Sequence, residues 1–172
     1  MATSSLAISV AVNLVNQPPG FQDLYQRYSE TVYRAALRVT GNQADAEDVL
    51  QTVFMRLLHR EVAFDTGWAP EAYFRRAATN AAIDVIRRKT TRAETEIDER
   101  REHTTAPSQS LLKEQLRRAL AKLDSEDSEL FVLHYLEGLS HDELASQFRI
   151  QRGTVASRLF RIRKVLQKEI ER

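Results

Sequence analysis

Apolar residues recur at three-to-four spacing along most of this 172-residue chain. Over residues 21–40, Leu24, Tyr28, Val32, Ala35 or Ala36, and Val39 share one side. That spacing predicts a helix, stopped by Gly41-Asn42. A second predicted helix, about 44–59, has Val49, Val53, Phe54, Leu57 and Leu58 on its core side. It opens with Asp45, Glu47 and Asp48, acids that suit the positive end of a helix dipole. A loop over 61–70 carries Gly67 and the lone tryptophan, Trp68. The third helix is expected over 70–89, with Pro70 in the first turn, where its missing N–H costs least. Between 90 and 110 the periodicity vanishes into polar and charged residues with Pro107, which is linker composition. Leu112, Leu116, Leu120 and Leu123 then restart a helical pattern. Another helix is expected over 128–137, stopped by Gly138, and residues 139–166 read as two short helices around a tight turn. The pattern predicts an all-α fold of two helical modules joined by a flexible linker. The parts are a tail over 1–19, an N-terminal module over 20–90, the linker over 91–109 and a C-terminal module over 110–172. No internal repeat is visible.

Composition sharpens this picture. Five Gly and four Pro are few, which favours helices over a turn-rich β fold. A hydrophobic content of 42% suffices for a core. The absence of cysteine excludes disulfides and thiolate metal sites and suits a reducing cytoplasm. Residues 6–15, LAISVAVNLV, are mildly apolar but lack a basic flank and are too short to span a bilayer. They read as a tail that frays or docks on a groove, not as a targeting signal.

Charge is the feature that points to chemistry. The chain has a formal net charge of +1, yet Arg149, Arg152, Arg158, Arg161, Arg163, Lys164 and Lys168 fall in one 20-residue window without an acid. Positive charge collected on one element suits a polyanion. Ser140 and Glu143 form the signature of a capping box. Leu144, Ala145 and Phe148 point inward, and Arg149-Ile150-Gln151 makes the turn. Val155, Leu159, Ile162 and Leu166 then lie in one narrow stripe, with Ser157, Arg161, Lys164 and Lys168 about half a turn away. Phe160 sits among those cations, where an aromatic ring can touch a thymine methyl. This is helix-turn-helix geometry, with the second helix destined for a major groove.

The third helix is also basic, with Arg75, Arg76, Arg87, Arg88, Lys89 and Arg92 against Glu71 and Asp84. Trp68, Tyr73 and Phe74 put aromatics beside that charge, as in surfaces that stack unpaired bases. Phe74 is better read as core, and Trp68 fits either role. Asn80, Asp84 and Arg87 follow at i, i+4 and i+7 on one face; Asp84 serves equally well as an intrahelical partner of Arg87 or Arg88. The acids and Gln51 of the second helix form a polar face that suits either a protein partner or solvent.

Together these motifs resemble the extracytoplasmic-function sigma factors, small bacterial initiation factors built from two domains. DAEDVLQTVFMRLL (45–58) is similar to the family's core-polymerase-binding helix. AYFRRAATNAAIDVIRRK (72–89) resembles its minus-10 helix, and LEGLSHDELASQFRIQRGTVASRLFRIRKVL (136–166) its minus-35 helix-turn-helix. The resemblance implies that Asp45, Asp48, Gln51 and Phe54 face the polymerase. It implies that Trp68, Tyr73, Arg76, Asn80, Asp84, Arg87 and Arg88 lie along minus-10 DNA whose strands separate, with the 61–70 loop holding a flipped-out base. Arg152, Thr154, Ser157, Arg158, Phe160, Arg161 and Lys164 would read or clamp the minus-35 element. The implied partners are core RNA polymerase, promoter DNA and the anti-sigma protein the family commonly has; no cofactor, metal or catalytic residue is implied. Departures stand at Ala156, where a basic residue is usual, at Phe148-Arg149 in place of a frequent Leu-Gly, at Arg152, and at Tyr73, where Trp is common.

On the residues alone, two other classes compete. A helix-turn-helix regulator acting without polymerase, as a dimer, would also need the basic C-terminal helix. A helical metalloenzyme is invited by His141-Asp142, but HDELA lacks the second histidine of a zinc motif, and His59, His103 and His134 lie elsewhere.

Overall fold

The computed structural model describes residues 20–59, 69–96 and 109–171, so the tail, Trp68, most of the 61–70 loop and most of the linker lie outside it. Among the described residues there are seven α-helices and no strand: α1 (Phe21–Thr40), α2 (Gln43–Leu58), α3 (Pro70–Glu96), α4 (Gln109–Lys122), α5 (Ser125–Tyr135), α6 (His141–Phe148) and α7 (Arg152–Ile170). The all-α expectation holds for them.

Helices α1 to α3 form the N-terminal module. A two-residue turn joins the first pair. Gly41 takes the left-handed conformation (φ 66°) and returns its N–H to the Leu37 carbonyl at 2.8 Å, closing α1. Asn42 then caps α2, its side chain accepting from the Asp45 N–H at 3.1 Å. The core beneath is aromatic. Phe54 stacks on Phe74 at 5.2 Å and meets Tyr25 edge-on at 4.8 Å, while Tyr28 also stacks on Phe74 at 4.9 Å. Ala35, Ala36, Ala46, Ala78 and Ala82 are fully enclosed, and such short side chains let the three helices approach closely. Removing a ring such as Phe74 from this packing would cost about 3–5 kcal/mol.

Helix α3 runs seven residues beyond the expected end at Lys89. Nothing in TTRAETE breaks a helix, and Thr90 and Thr95 turn their hydroxyls back onto the carbonyls of Ile86 and Thr91, both at 2.9 Å. A loss of amphipathic pattern was therefore not a loss of helix.

The C-terminal module is built around α5. It starts three residues earlier than expected because Asp124 caps it, accepting from the Asp127 N–H at 2.8 Å. Residues Ser128 to Leu133 are buried without interruption, so α5 has no solvent face over that span. It ends at Tyr135, and Gly138 (φ 76°) lets the chain turn so that the Leu139 N–H reaches the Leu133 carbonyl at 2.9 Å. The expected capping box opens α6. The Glu143 N–H donates to the Ser140 hydroxyl at 3.2 Å, and the Ser140 N–H donates to the Glu143 carboxylate at 2.8 Å. Arg149 closes α6 in the left-handed region (φ 53°, ψ 42°), an arginine where the turn would favour glycine.

The two modules pack together, with α3 lying against α4 and α5. No helix among the described residues is long and apolar enough to cross a membrane.

Candidate nucleic-acid interface

Helix α7 presents the surface its sequence predicts. Val155, Leu159, Ile162 and Leu166 are buried, and Arg152, Thr154, Ser157, Phe160, Arg161 and Lys164 are exposed. No side chain caps its N-terminus at Gln151. Lys164 sits 5.7 Å above the Phe160 ring, and Phe160 is 53% exposed. Phe160 also lines a groove of about 590 Å³ with Leu116, Phe131 and Tyr135, so the ring borders an apolar surface as well as the cationic one. Arg152 makes an exposed ion pair with Asp142 at 3.5 Å, which water largely cancels. Ala156 is exposed on the same helix, leaving the position of a usual family cation bare.

Arg158 behaves differently from its neighbours. Its side chain is mostly enclosed and donates to Asp127 from Nε (2.9 Å) and Nη2 (2.6 Å), and to Glu126 at 3.2 Å. Burial pulls its pKa down, but the hydrogen bonds and charge of Asp127, then of Glu126, leave it raised overall. Its guanidinium is committed to α5 in this conformation.

The basic face of α3 is also largely committed. Arg76 is bonded through Nε and Nη2 to Glu129, and its guanidinium lies 4.9 Å from the Phe148 ring centre. Arg87 donates to the Leu123 carbonyl (2.9 Å), the Ala121 carbonyl (3.4 Å), and the hydroxyls of Ser128 (3.2 Å) and Ser125 (3.4 Å). In effect it caps the C-terminal end of α4, where orphan carbonyls favour a cation. Asn80 lies between the two arginines on the same face, and its Oδ1 is enclosed without a hydrogen bond. Tyr73 is half-buried, whereas Asp84 and Arg88 are exposed. Asp84 reaches Arg87 at 4.0 Å, and Arg88 donates to the Asp84 carbonyl, so Asp84 is an intrahelical neighbour of both.

On α2, Asp48 and Gln51 are exposed. Asp45 is buried and paired with Lys89 of α3 at 2.5 Å, so it faces the neighbouring helix and not solvent. Phe54 is in the core, so it shapes the α2 surface from beneath rather than forming it. Sequence reasoning missed Met55, 43% exposed and seven residues after Asp48 on the same face. Its only signal was the i, i+3, i+7 spacing of Asp48, Gln51 and Met55. It also missed the acids Glu129 and Glu137, their pairing with Arg75 and Arg76, and Arg38, because those pairings join distant parts of the chain.

Comparison with known proteins places this geometry. Residues 24–92 match the model of Sigma-70 region 2, and residues 113–166 match that of Sigma-70, region 4. The chain is 33% identical over 142 residues to the ECF RNA polymerase sigma factor SigL of Mycobacterium tuberculosis, covering 79% of this chain and 80% of that one.

The chain belongs to the ECF RNA polymerase sigma factors.

Another such relative, SigE of Mycolicibacterium smegmatis, is 33% identical over 86% of this chain, which spans 60% of SigE's own length. SigW of Bacillus subtilis is 27% identical over 87% of this chain and 88% of its own. The fold is shared with the sigma factor RpoE from Bartonella quintana, solved in complex with the anti-sigma factor NepR. That likeness has a TM-score of 0.52 at 20% identity and covers 90% of this chain and 98% of the other. The N-terminal module is thus sigma region 2 and the C-terminal module sigma region 4. Among the described residues no three His, Cys, Asp or Glu side chains are grouped to hold a metal ion; His141 opens α6 behind its Ser140 cap, its ring centre 4.9 Å from that of His134.

Proposed function

We propose that this chain binds core RNA polymerase through the exposed α2 face of Asp48, Gln51 and Met55 and directs it to promoters carrying minus-10 and minus-35 elements. The observation that carries this reading is α7, a buried apolar stripe backed by exposed Arg161 and Lys164 within a 20-residue acid-free window, inside a sigma region 4. Arg161, Lys164, Ser157 and Phe160 face the minus-35 major groove, where arginines take base edges or phosphates. The α3 face of Arg76, Asn80, Arg87 and Arg88 lies along the minus-10 strand once it is unpaired. Tyr73 stands near it as a stacking group that offsets the cost of unstacking bases.

The chain performs no bond chemistry in this reading. Each module offers a small surface, and holding both on one polymerase converts two weak contacts into one strong one. The protein acts in the cytoplasm, where the polymerase is, and an anti-sigma protein is among its partners, as NepR is for the Bartonella protein.

Capture by purified core polymerase, followed by run-off transcription on a genomic promoter pool, tests the reading. The unsubstituted chain should be captured and should fix the start sites. Asp48→Arg should lose capture while keeping its helical content. Capture of neither would favour a regulator that acts without polymerase, equal capture of both would remove Asp48 from the contact, and capture without directed starts would overturn the initiation role.

A further inference from the structure

Two of the α3 cations that the proposed function gives to minus-10 DNA, Arg76 and Arg87, already have partners in region 4, a carboxylate for Arg76 and carbonyls and hydroxyls for Arg87, while Arg88 stays exposed. Glu129 and Glu137 have side chains only 6% and 4% exposed. A carboxylate so enclosed is costly unless cations meet it. Glu129 is met by Arg76. Glu137, in the turn after α5, is met by Arg38 of α1 at 2.6 Å and approached by Arg75 at 3.9 Å. Arg75 and Arg76, neighbours in sequence, thus reach acids in the middle of α5 and just beyond its end. Arg87 occupies the carbonyl end of α4 in the manner of a bound cation. From the other side, Arg117 of α4 donates to the Val39 carbonyl at 3.0 Å, at the carbonyl end of α1. Every one of these contacts joins region 2 to region 4.

We propose that region 4 acts as an internal latch. Glu129, Glu137 and the carbonyl end of α4 stand in for nucleic-acid phosphates and mask the minus-10 face, while the α2 and α7 surfaces stay open. The masking is asymmetric. Asp48, Gln51, Arg161 and Lys164 are exposed in the closed chain, whereas Arg76 and Arg87 are occupied and the Oδ1 of half-buried Asn80 is enclosed. The latch is also imperfect. Asn80 Oδ1 and Arg75 Nε are buried without hydrogen bonds, a penalty that opening removes. Polymerase and minus-35 duplex can therefore engage a closed chain, and single-stranded minus-10 DNA is admitted after the modules part. This inference rests on the assignment of the α3 face to DNA.

The test uses the full chain, a fluorescent 12-nucleotide single strand and a 20-base-pair duplex, both of mixed sequence. Arg38→Gln with Arg117→Gln removes two positive charges outside the proposed DNA faces, so simple electrostatics predicts weaker binding of both probes. The latch predicts the opposite for the single strand. A latch closed nine-tenths of the time lowers apparent affinity about tenfold, so opening should restore about that factor. The radius of gyration should rise, and duplex affinity should not increase. Glu129→Gln, checked for retained helical content, should tighten single-strand binding in the same way, while the exposed-acid control Glu30→Gln should not. An unchanged radius, or an expanded chain whose single-strand affinity does not rise, overturns the latch. Failure of the sigma assignment would show separately, as loss of core-polymerase capture by the unsubstituted chain.

Discussion

Arg158 and Asp127 are joined by two hydrogen bonds onto a single carboxylate oxygen, 2.9 Å from Nε and 2.6 Å from Nη2. The pair ties the recognition helix α7 to the first turn of α5, and the arginine side chain is only 17% exposed. Charge-assisted bonds in such a setting contribute about 1.5–3 kcal/mol. Arg158→Ala should therefore lower the stability of region 4 by about 2 kcal/mol in urea unfolding. The salt dependence of duplex binding should change little, because the cation is already neutralised by protein. A slope reduced by a full phosphate contact would return Arg158 to the DNA surface.

Arg161 is the contrast. It is exposed and has no acid on its own helix nearby. Arg161→Ala should leave stability nearly untouched and weaken minus-35 binding by the polymerase complex by about 1–3 kcal/mol if it reads a base. Equal losses on a cognate and a scrambled element would make it a phosphate contact instead.

Much of this is legible in the sequence, and what is legible is local. The stripe of α7, the Ser140–Glu143 box and the Gly41 stop each depend on residues within a turn or two of one another. Helix α5 was harder. Ser128 and Glu129 are buried among apolar neighbours, so the segment carries no amphipathic signature and its start was read three residues late. Glu129 looks like a solvated acid until Arg76, 53 positions away, is brought beside it. Asp45 and Phe54 were assigned to a partner surface from their place in a motif. Burial against α3 and within the aromatic core depends on contacts that no spacing within α2 encodes. The same holds for Arg87, whose work on α4 is visible only once the modules meet.

The turn of the helix-turn-helix carries strain that can be removed. Arg149 sits at φ 53°, a region that costs a side-chain-bearing residue about 1–2 kcal/mol. Arg149→Gly relieves that cost but adds flexibility to the unfolded chain, leaving a net gain of about 0.5–1 kcal/mol. The measurement is the urea midpoint of region 4, which should rise. A fall would mean that the Arg149 side chain makes up for its backbone.

The capping box gives a pH signature. Hydrogen bonds from the Ser140 N–H, and then from its hydroxyl, hold the Glu143 carboxyl below the usual range. The folded chain thus binds this proton less readily than the unfolded one. Stabilisation is fully present above the ordinary glutamate pKa of about 4.3 and disappears as pH falls through the lower folded value. Glu143→Gln, which keeps a weaker neutral cap, should unfold at a lower temperature than the unsubstituted chain at pH 7. The difference should shrink steadily in acid below about pH 4. A gap that persists undiminished at pH 3 would show that the carboxylate is not its source.

Gly41 has an importance beyond closing α1. Its missing side chain leaves a notch that the Arg117 guanidinium fills, and a Cβ there would overlap it. The notch works as a keyhole cut for one planar key. A side chain at that position would crowd the guanidinium and strain the left-handed turn that ends α1, so one residue serves both the close of its own helix and the seam between the halves.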